Sequence, residues 1–311
     1  MKDCCLKRVL IPIYEKLYDA AHNCVHWIRL RLCYRLHIMS ASKTLKYIQS
    51  HHCSIARFGD GELSFALKIN HEIAFQANSE TLSHKLEQVL QNKNPNLLLC
   101  MPIYLNSLRG CTEKCRKYWW NWGKINNQQA RIVSEIRRRS GSNYLFGDSL
   151  ITRPYMDRQN IKYAERIFCQ LQQLWDQKDL LIVEGEQTRL GIGNDLFSNA
   201  NSIRRILAPA VDAFECYDQI KASVINHFSN QLVILALGPT ATVLAADLTE
   251  HGIQALDLGH VDIEYEWFLQ RQTTKTAVKG KYTNESTEGR NAGTCTDQEY
   301  MAEILDRITH Q

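Results

Sequence analysis

The chain has 311 residues, 44% of them hydrophobic and 23% charged, and carries a formal net charge of +4. That length buries a full core, as one large domain or as one domain with a helical addition, and the composition is ordinary for a soluble globular enzyme. The mild charge argues against nucleic acid as the main partner, which calls for a denser basic face, and no run of about twenty apolar residues is present to cross a bilayer.

Eleven cysteines are scattered along a chain without a signal peptide. They indicate reduced thiols in a cytoplasmic setting rather than a disulfide framework. Cys111 and Cys115 are followed by no second cysteine or histidine pair at zinc-finger spacing, which argues against a structural zinc site. Residues 1–41 read as a basic amphipathic helical extension, with Leu10, Ile13, Leu17 and Ala21 at helical spacing ahead of Trp27, Arg29 and Arg31. Such a segment either packs on the domain or rests on anionic lipid or on a partner, with peripheral contact to the cytoplasmic face of the membrane.

Ser40 or Ser42 caps a helix running to about Gln49. Next comes Ser54-Ile-Ala-Arg-Phe-Gly-Asp-Gly-Glu-Leu63. A strand over Ser54–Arg57 followed by a glycine turn sets Asp60 and Glu62 at the strand exit, where the two carboxylates either share one divalent cation or form a solvated turn. Hard oxygen ligands suit Mg²⁺ or Mn²⁺ better than zinc. A helix is predicted over Thr81–Leu90 and a buried strand over Leu97–Met101. Between Tyr104 and Gly123 aromatics mix with cations, among them Arg109, Arg116, Tyr118, Trp119 and Trp120. This is either a helix packing its rings inward or a platform for an acceptor sugar.

A helix over Ile132–Arg139 and a strand over Asn143–Phe146 lead to Gly147–Tyr155, an irregular stretch holding Arg153 and Tyr155 beside a proline. It is a plain loop or a wall of a ligand crevice at the carboxyl ends of parallel strands. A helical stripe from Ile161 to Trp175 is core. The apolar strand Leu180–Val183 empties into a turn with Glu186, Arg189, Gly191, Gly193, Asn194 and Asp195. Glycines of this kind let backbone approach a nucleotide, and Arg189 could neutralise a diphosphate. A short basic helix is expected over Ser202–Leu207, a further helix from Asp218 to Phe228, and a strand over Leu232–Leu237.

Gly238, Pro239 and Thr240 then open a helix to Glu250, and Ala255–Leu258 returns as a strand, forming a βαβ unit with an anion-ready helix start. That strand leaves through Asp257, His260, Asp262, Glu264 and Glu266. The cluster is a structural acid group at a helix start or a source of a base or further metal contact. Arg271–Thr296 turns polar without an apolar period, as a loop, lid or disordered segment, and a terminal helix is expected over Tyr300–Ile308. The organisation is thus an α/β, Rossmann-like, mostly parallel sheet flanked by helices over 42–270, with a polar loop or lid and C-terminal helix over 271–311.

Five motifs in order, Ala56-Arg-Phe-Gly-Asp-Gly-Glu62, Thr152-Arg-Pro-Tyr155, Glu186-x-x-Arg-Leu-Gly-x-Gly-Asn-Asp-Leu196, Gly238-Pro-Thr240 and Asp257-x-Gly-His-x-Asp-x-Glu-Tyr-Glu-Trp267, resemble the GT-D type glycosyltransferases. The resemblance runs from about residue 42 to about 285. It implies a Rossmann-like sheet distinct from the GT-A and GT-B arrangements, a UDP-sugar donor, and a divalent metal held by Asp60 and Glu62. It also implies transfer of glucose or a related hexose to a glycan or glycoprotein acceptor in bacterial adhesin-glycan or exopolysaccharide synthesis. With the residue pattern, it makes Arg57, Arg153, Tyr155, Glu186, Arg189, Gly191, Gly193, Asn194, Asp195, Gly238, Pro239 and Thr240 donor-binding candidates, and His260, Asp262 and Glu264 candidates for the base. A metal-dependent phosphohydrolase and a non-catalytic partner subunit of a glycosyltransferase are the alternatives.

Overall fold

The computed structural model describes residues 35–69, 73–124 and 128–310. Of the helical extension expected over 1–41, residues 1–34 lie outside the described residues, and His37–Ile38 within it is a strand rather than helix. Among the described residues, nine strands form one sheet: β1 (His37–Ile38), β2 (Ser54–Arg57), β3 (Leu97–Met101), β4 (Leu145–Asp148), β5 (Asp179–Gly185), β6 (Ser202–Ala208), β7 (Leu232–Ala236), β8 (Ala255–Asp257) and β9 (Ile304–Arg307). The order is β1-β4-β3-β2-β8-β7-β5-β6-β9, and every neighbouring pair is parallel.

Parallel strands need crossovers, and helices on both faces supply them. Successive strand residues alternate between two cores. Leu181, Val183, Val233 and Leu235 pack with the helices Glu80–Leu90, Tyr217–His227 and Pro239–Glu250 on one face. Leu180, Ile182 and Ile234 pack with Ala41–His51, Ile161–Trp175 and Val261–Leu269 on the other. This is why β3, β5 and β7 read as continuous apolar runs.

From β2 the chain steps outward through β3 and β4. It then crosses to β5 and returns through β7 and β8 until Ile55 of β2 lies opposite Leu256 of β8. That junction is where the strand order reverses, and a crevice opens at the carboxyl ends of such strands.

Three further local expectations change. Ser202–Ala208 is a strand, not a basic helix, because Arg205 points inward and its guanidinium meets Glu184 Oε1 at 2.7 Å and Glu303 Oε2 at 2.5 Å. The tail is a short helix, Gln298–Glu303, that gives way to β9 on the edge of the sheet. Asp60 and Glu62 sit not in a turn but in the first turn of a helix, Asp60–Ala66, where negative charge is favoured by the helix dipole.

Candidate active site

A cavity of about 710 Å³ lies over the carboxyl ends of β2, β8 and β7. Its floor is the exit of β2. The Arg57 guanidinium is fixed by the Asp257 carboxylate (Nη2 to Oδ1, 3.1 Å), Thr152 Oγ1 (2.7 Å) and the Ser149 carbonyl (3.1 Å). Asp257 Oδ2 in turn accepts from the Arg57 backbone N–H and from Thr242 Oγ1, each at 3.1 Å. Both carboxylate oxygens of Asp257 therefore have protein partners.

Asp60 and Glu62 line the cavity beside this pair. Glu62 Oε2 accepts the Gly59 N–H at 2.8 Å, and Asp60 accepts a hydrogen bond from the Tyr118 hydroxyl. Burial, and then the neighbouring charges of Asp257 and Asp60, push Glu62 up to about 7. A divalent cation would relieve that repulsion. Among the described residues no group of three or more His, Cys, Asp or Glu side chains is arranged to hold a metal on its own. The donor set fits a Mg²⁺-like ion that takes one or two carboxylates and completes its shell with substrate oxygens and water.

The opposite wall comes from the polar tail. Lys275, Tyr282, Asn284, Glu285 and Arg290 all face the cavity. Glu285 Oε1 meets Arg153 Nη1 at 2.8 Å and His260 Nε2 at 3.2 Å. The tail is held down by Arg189, whose Nη1 donates to the Gly280 carbonyl at 2.7 Å and the Ala292 carbonyl at 3.1 Å, and by Lys281. One end of the cavity is apolar, with Ile73, Phe75, Ala213 and Leu237. Gly238 closes it with φ +54°, and a Cβ there would fall 2.3 Å from Phe75 Cε2, so only glycine lets the two approach.

The candidates from sequence thus divide. Arg57, Asp60, Glu62, Arg153, Gly238 and His260 line the cavity. Asp262 and Glu264 do not. Asp262 accepts from the Gly191 N–H, Asn194 and Lys281, and Glu264 Oε2 accepts the backbone N–H groups of Tyr155 and Met156. Arg189 holds the tail rather than facing the cavity, and Asn194 Nδ2 donates to Asp262 and Glu266. Glu186, Gly193 and Asp195 are exposed on that turn. Tyr155 and Pro239 are buried, and Thr240 donates to Gln76 Oε1 at 3.2 Å. Glu285, Lys275, Arg290 and Phe75 join the cavity without having been singled out, since the tail and the Ile73–Gln76 bend carry no periodic signal.

The chain is similar to known proteins in sequence and fold. The family described as "Glycosyltransferase GT-D fold" matches residues 55–286. The chain is 34% identical over 278 residues to the "Probable glycosyl transferase Gly" of Streptococcus gordonii, covering 89% of the chain and 39% of that protein. It is 32% identical over 274 residues to the "Glycosyltransferase GlyD" of Streptococcus pneumoniae serotype 4, covering 88% of the chain and 33% of that protein. The chain therefore spans well under half the length of these relatives. A solved structure described as the highly conserved domain of unknown function 1792, with a distinct glycosyltransferase fold, superposes with a TM-score of 0.82 at 35% identity, over 91% of this chain and all 100% of that one. A further structure, described as a new glycosyltransferase from Streptococcus sanguinis, gives a TM-score of 0.80 at 32% identity, over 88% of this chain and 100% of that one.

Proposed function

The chain belongs to the GT-D fold glycosyltransferase family, and from that premise we propose that it moves glucose or a related hexose from a UDP-sugar to a glycan acceptor with the help of Mn²⁺ or Mg²⁺. One observation carries this reading: Asp60 and Glu62 share a single cavity with an apolar end and with a basic wall. The apolar end at Phe75, Leu237 and Gly238 suits a flat base, and Arg153, Lys275 and Arg290 suit a diphosphate. Asp60 and Glu62 would hold the cation, with Tyr118 orienting Asp60. When bound, the cation supplies Lewis-acid neutralisation of the diphosphate that leaves.

Four of the five Arg57 N–H donors go to Asp257, Thr152 and Ser149, so it shapes the floor and adds fixed positive charge to the cavity. Of the three candidate bases, His260 alone is on the cavity, so it takes the acceptor proton. The acceptor is a growing glycan of a glycoprotein or exopolysaccharide on the cytoplasmic side of the membrane. No described helix is long and apolar enough to cross a membrane. The test is release of UDP from UDP-glucose with Mn²⁺, for the wild type, Asp60→Ala and Glu62→Ala. Loss in both variants supports the reading. Wild-type rates in both would end the metal assignment, and equal hydrolysis of simple phosphoesters would sink the reading in favour of a phosphohydrolase.

A further inference from the structure

The polar tail places one carboxylate against the proposed base. Glu285 Oε1 lies 3.2 Å from His260 Nε2, and both residues face the cavity. We propose that Glu285 is a positioning residue that sets the tautomer and ring orientation of His260, with Nε2–H donating to Glu285 and Nδ1 left to take the acceptor proton. This rests on the transferase reading above.

The charges around the pair support an ionised carboxylate. His260 is faced by Arg57 from β2, by Arg153 from the loop after β4, and by Glu285 from the tail. Arg153 Nη1 also reaches Glu285 Oε1 at 2.8 Å, and Lys275 Nζ approaches it at 3.9 Å. Burial alone raises Glu285, but the Arg153 guanidinium at 2.8 Å, the Lys275 ammonium and the His260 N–H oppose it, and the carboxyl lies well below its ordinary range. An ionised Glu285 only accepts, so Nε2 must carry the proton. Burial, and then Arg153, lower His260, which keeps its ring neutral and basic near neutral pH.

In the step, the acceptor O–H bond breaks and its proton moves to His260 Nδ1. The acceptor oxygen bonds to the sugar C1, and the C1–O bond to the diphosphate breaks, its electron pair leaving with UDP. Glu285 stays ionised and stabilises the imidazolium that forms, as the orienting carboxylate of a hydrolytic triad does.

Two measurements decide the assignment. The first is ¹⁵N NMR of the imidazole groups, with the His260 signals identified by His260→Gln. It reads the tautomer without turnover, so it stands even if UDP-glucose is not the donor. Nδ1 unprotonated in the wild type, with a lower titration midpoint in Glu285→Gln, is the expected result. Protonated Nδ1, or an unmoved midpoint, overturns the assignment.

The second is Mn²⁺-dependent UDP-glucose hydrolysis, water serving as acceptor. Glu285→Gln should lower kcat on the order of 100-fold, leave KM nearly unchanged and shift the acid limb of the pH profile to lower pH. The double variant Glu285→Gln/His260→Gln should be no slower than His260→Gln alone. A rise in KM with kcat and limb unchanged would make Glu285 a direct sugar contact. Additive losses in the double variant would also defeat the proposal.

Discussion

Arg57 and Asp257, 200 residues apart in sequence, meet at the junction of β2 and β8 through the Arg57 backbone N–H on Asp257 Oδ2 and the guanidinium Nη2 on Oδ1, each at 3.1 Å. The pair ties β2, early in the chain, to β8, and it forms the floor of the cavity. Asp257 is 3% exposed and Arg57 14%, so solvent screens the pair little.

Removing one charge of a buried pair strands the other. Asp257→Asn should lower unfolding stability by about 3 kcal/mol and abolish donor cleavage. Urea denaturation followed by tryptophan fluorescence would check this. A variant as stable as the wild type would mean the pair does not join the halves.

Asp262 stands apart from the cavity in a buried network, with Lys281 Nζ 2.7 Å from its Oδ2 and the Gly191 N–H 3.0 Å from its Oδ1. Lys281→Met should therefore loosen the tail. The expected signature is faster amide exchange over residues 278–293 and a stability loss of about 3 kcal/mol. Asp262→Asn should follow the same pattern. If Asp262→Asn were fully stable yet inactive, Asp262 would be acting in catalysis after all.

Burial pushes Glu264 up to about 7. A carboxyl whose folded value is raised adds stability that is complete below its unfolded value near 4.5 and is lost as pH climbs to about 7. Relative to Glu264→Gln, the wild type should thus lose stability over that window, at most about 1.4 kcal/mol per pH unit. Parallel melting curves for the two proteins across the window would contradict the assignment.

Gly238 has a positive φ against the Phe75 ring. Gly238→Ala should cost about 2 kcal/mol and displace Phe75, weakening UDP binding more than Mn²⁺ binding. Unchanged UDP affinity, measured by calorimetry, would remove this end of the cavity from the nucleotide site.

Local pattern carried the strands β3, β5 and β7, the Pro239–Glu250 crossover and the neighbouring carboxylates Asp60 and Glu62 at the exit of β2, because each is written in contiguous residues. What it could not carry were pairings across the chain. Arg204-Arg205 looks like a solvated helix face until Glu184 and Glu303 arrive to neutralise Arg205. Asp262 and Glu264 look like a cluster aimed at a ligand, yet Lys281 engages Asp262 and the Tyr155–Met156 backbone takes one oxygen of Glu264. Arg189 looks ready for a phosphate, yet it spends its donors on tail carbonyls. Glu285 sits in a segment with no period at all, and only the fold brings it to His260.

The most direct test is calorimetric titration of UDP into the wild type, Asp60→Ala and Glu62→Ala, each with and without Mn²⁺. The wild type should bind UDP more tightly with Mn²⁺, and each variant should lose that Mn²⁺-dependent gain, a weakening of roughly tenfold or more, about 1.4 kcal/mol. Equal Mn²⁺-dependent affinity in all three proteins would contradict the assignment of Asp60 and Glu62 as the carboxylates that join metal to donor.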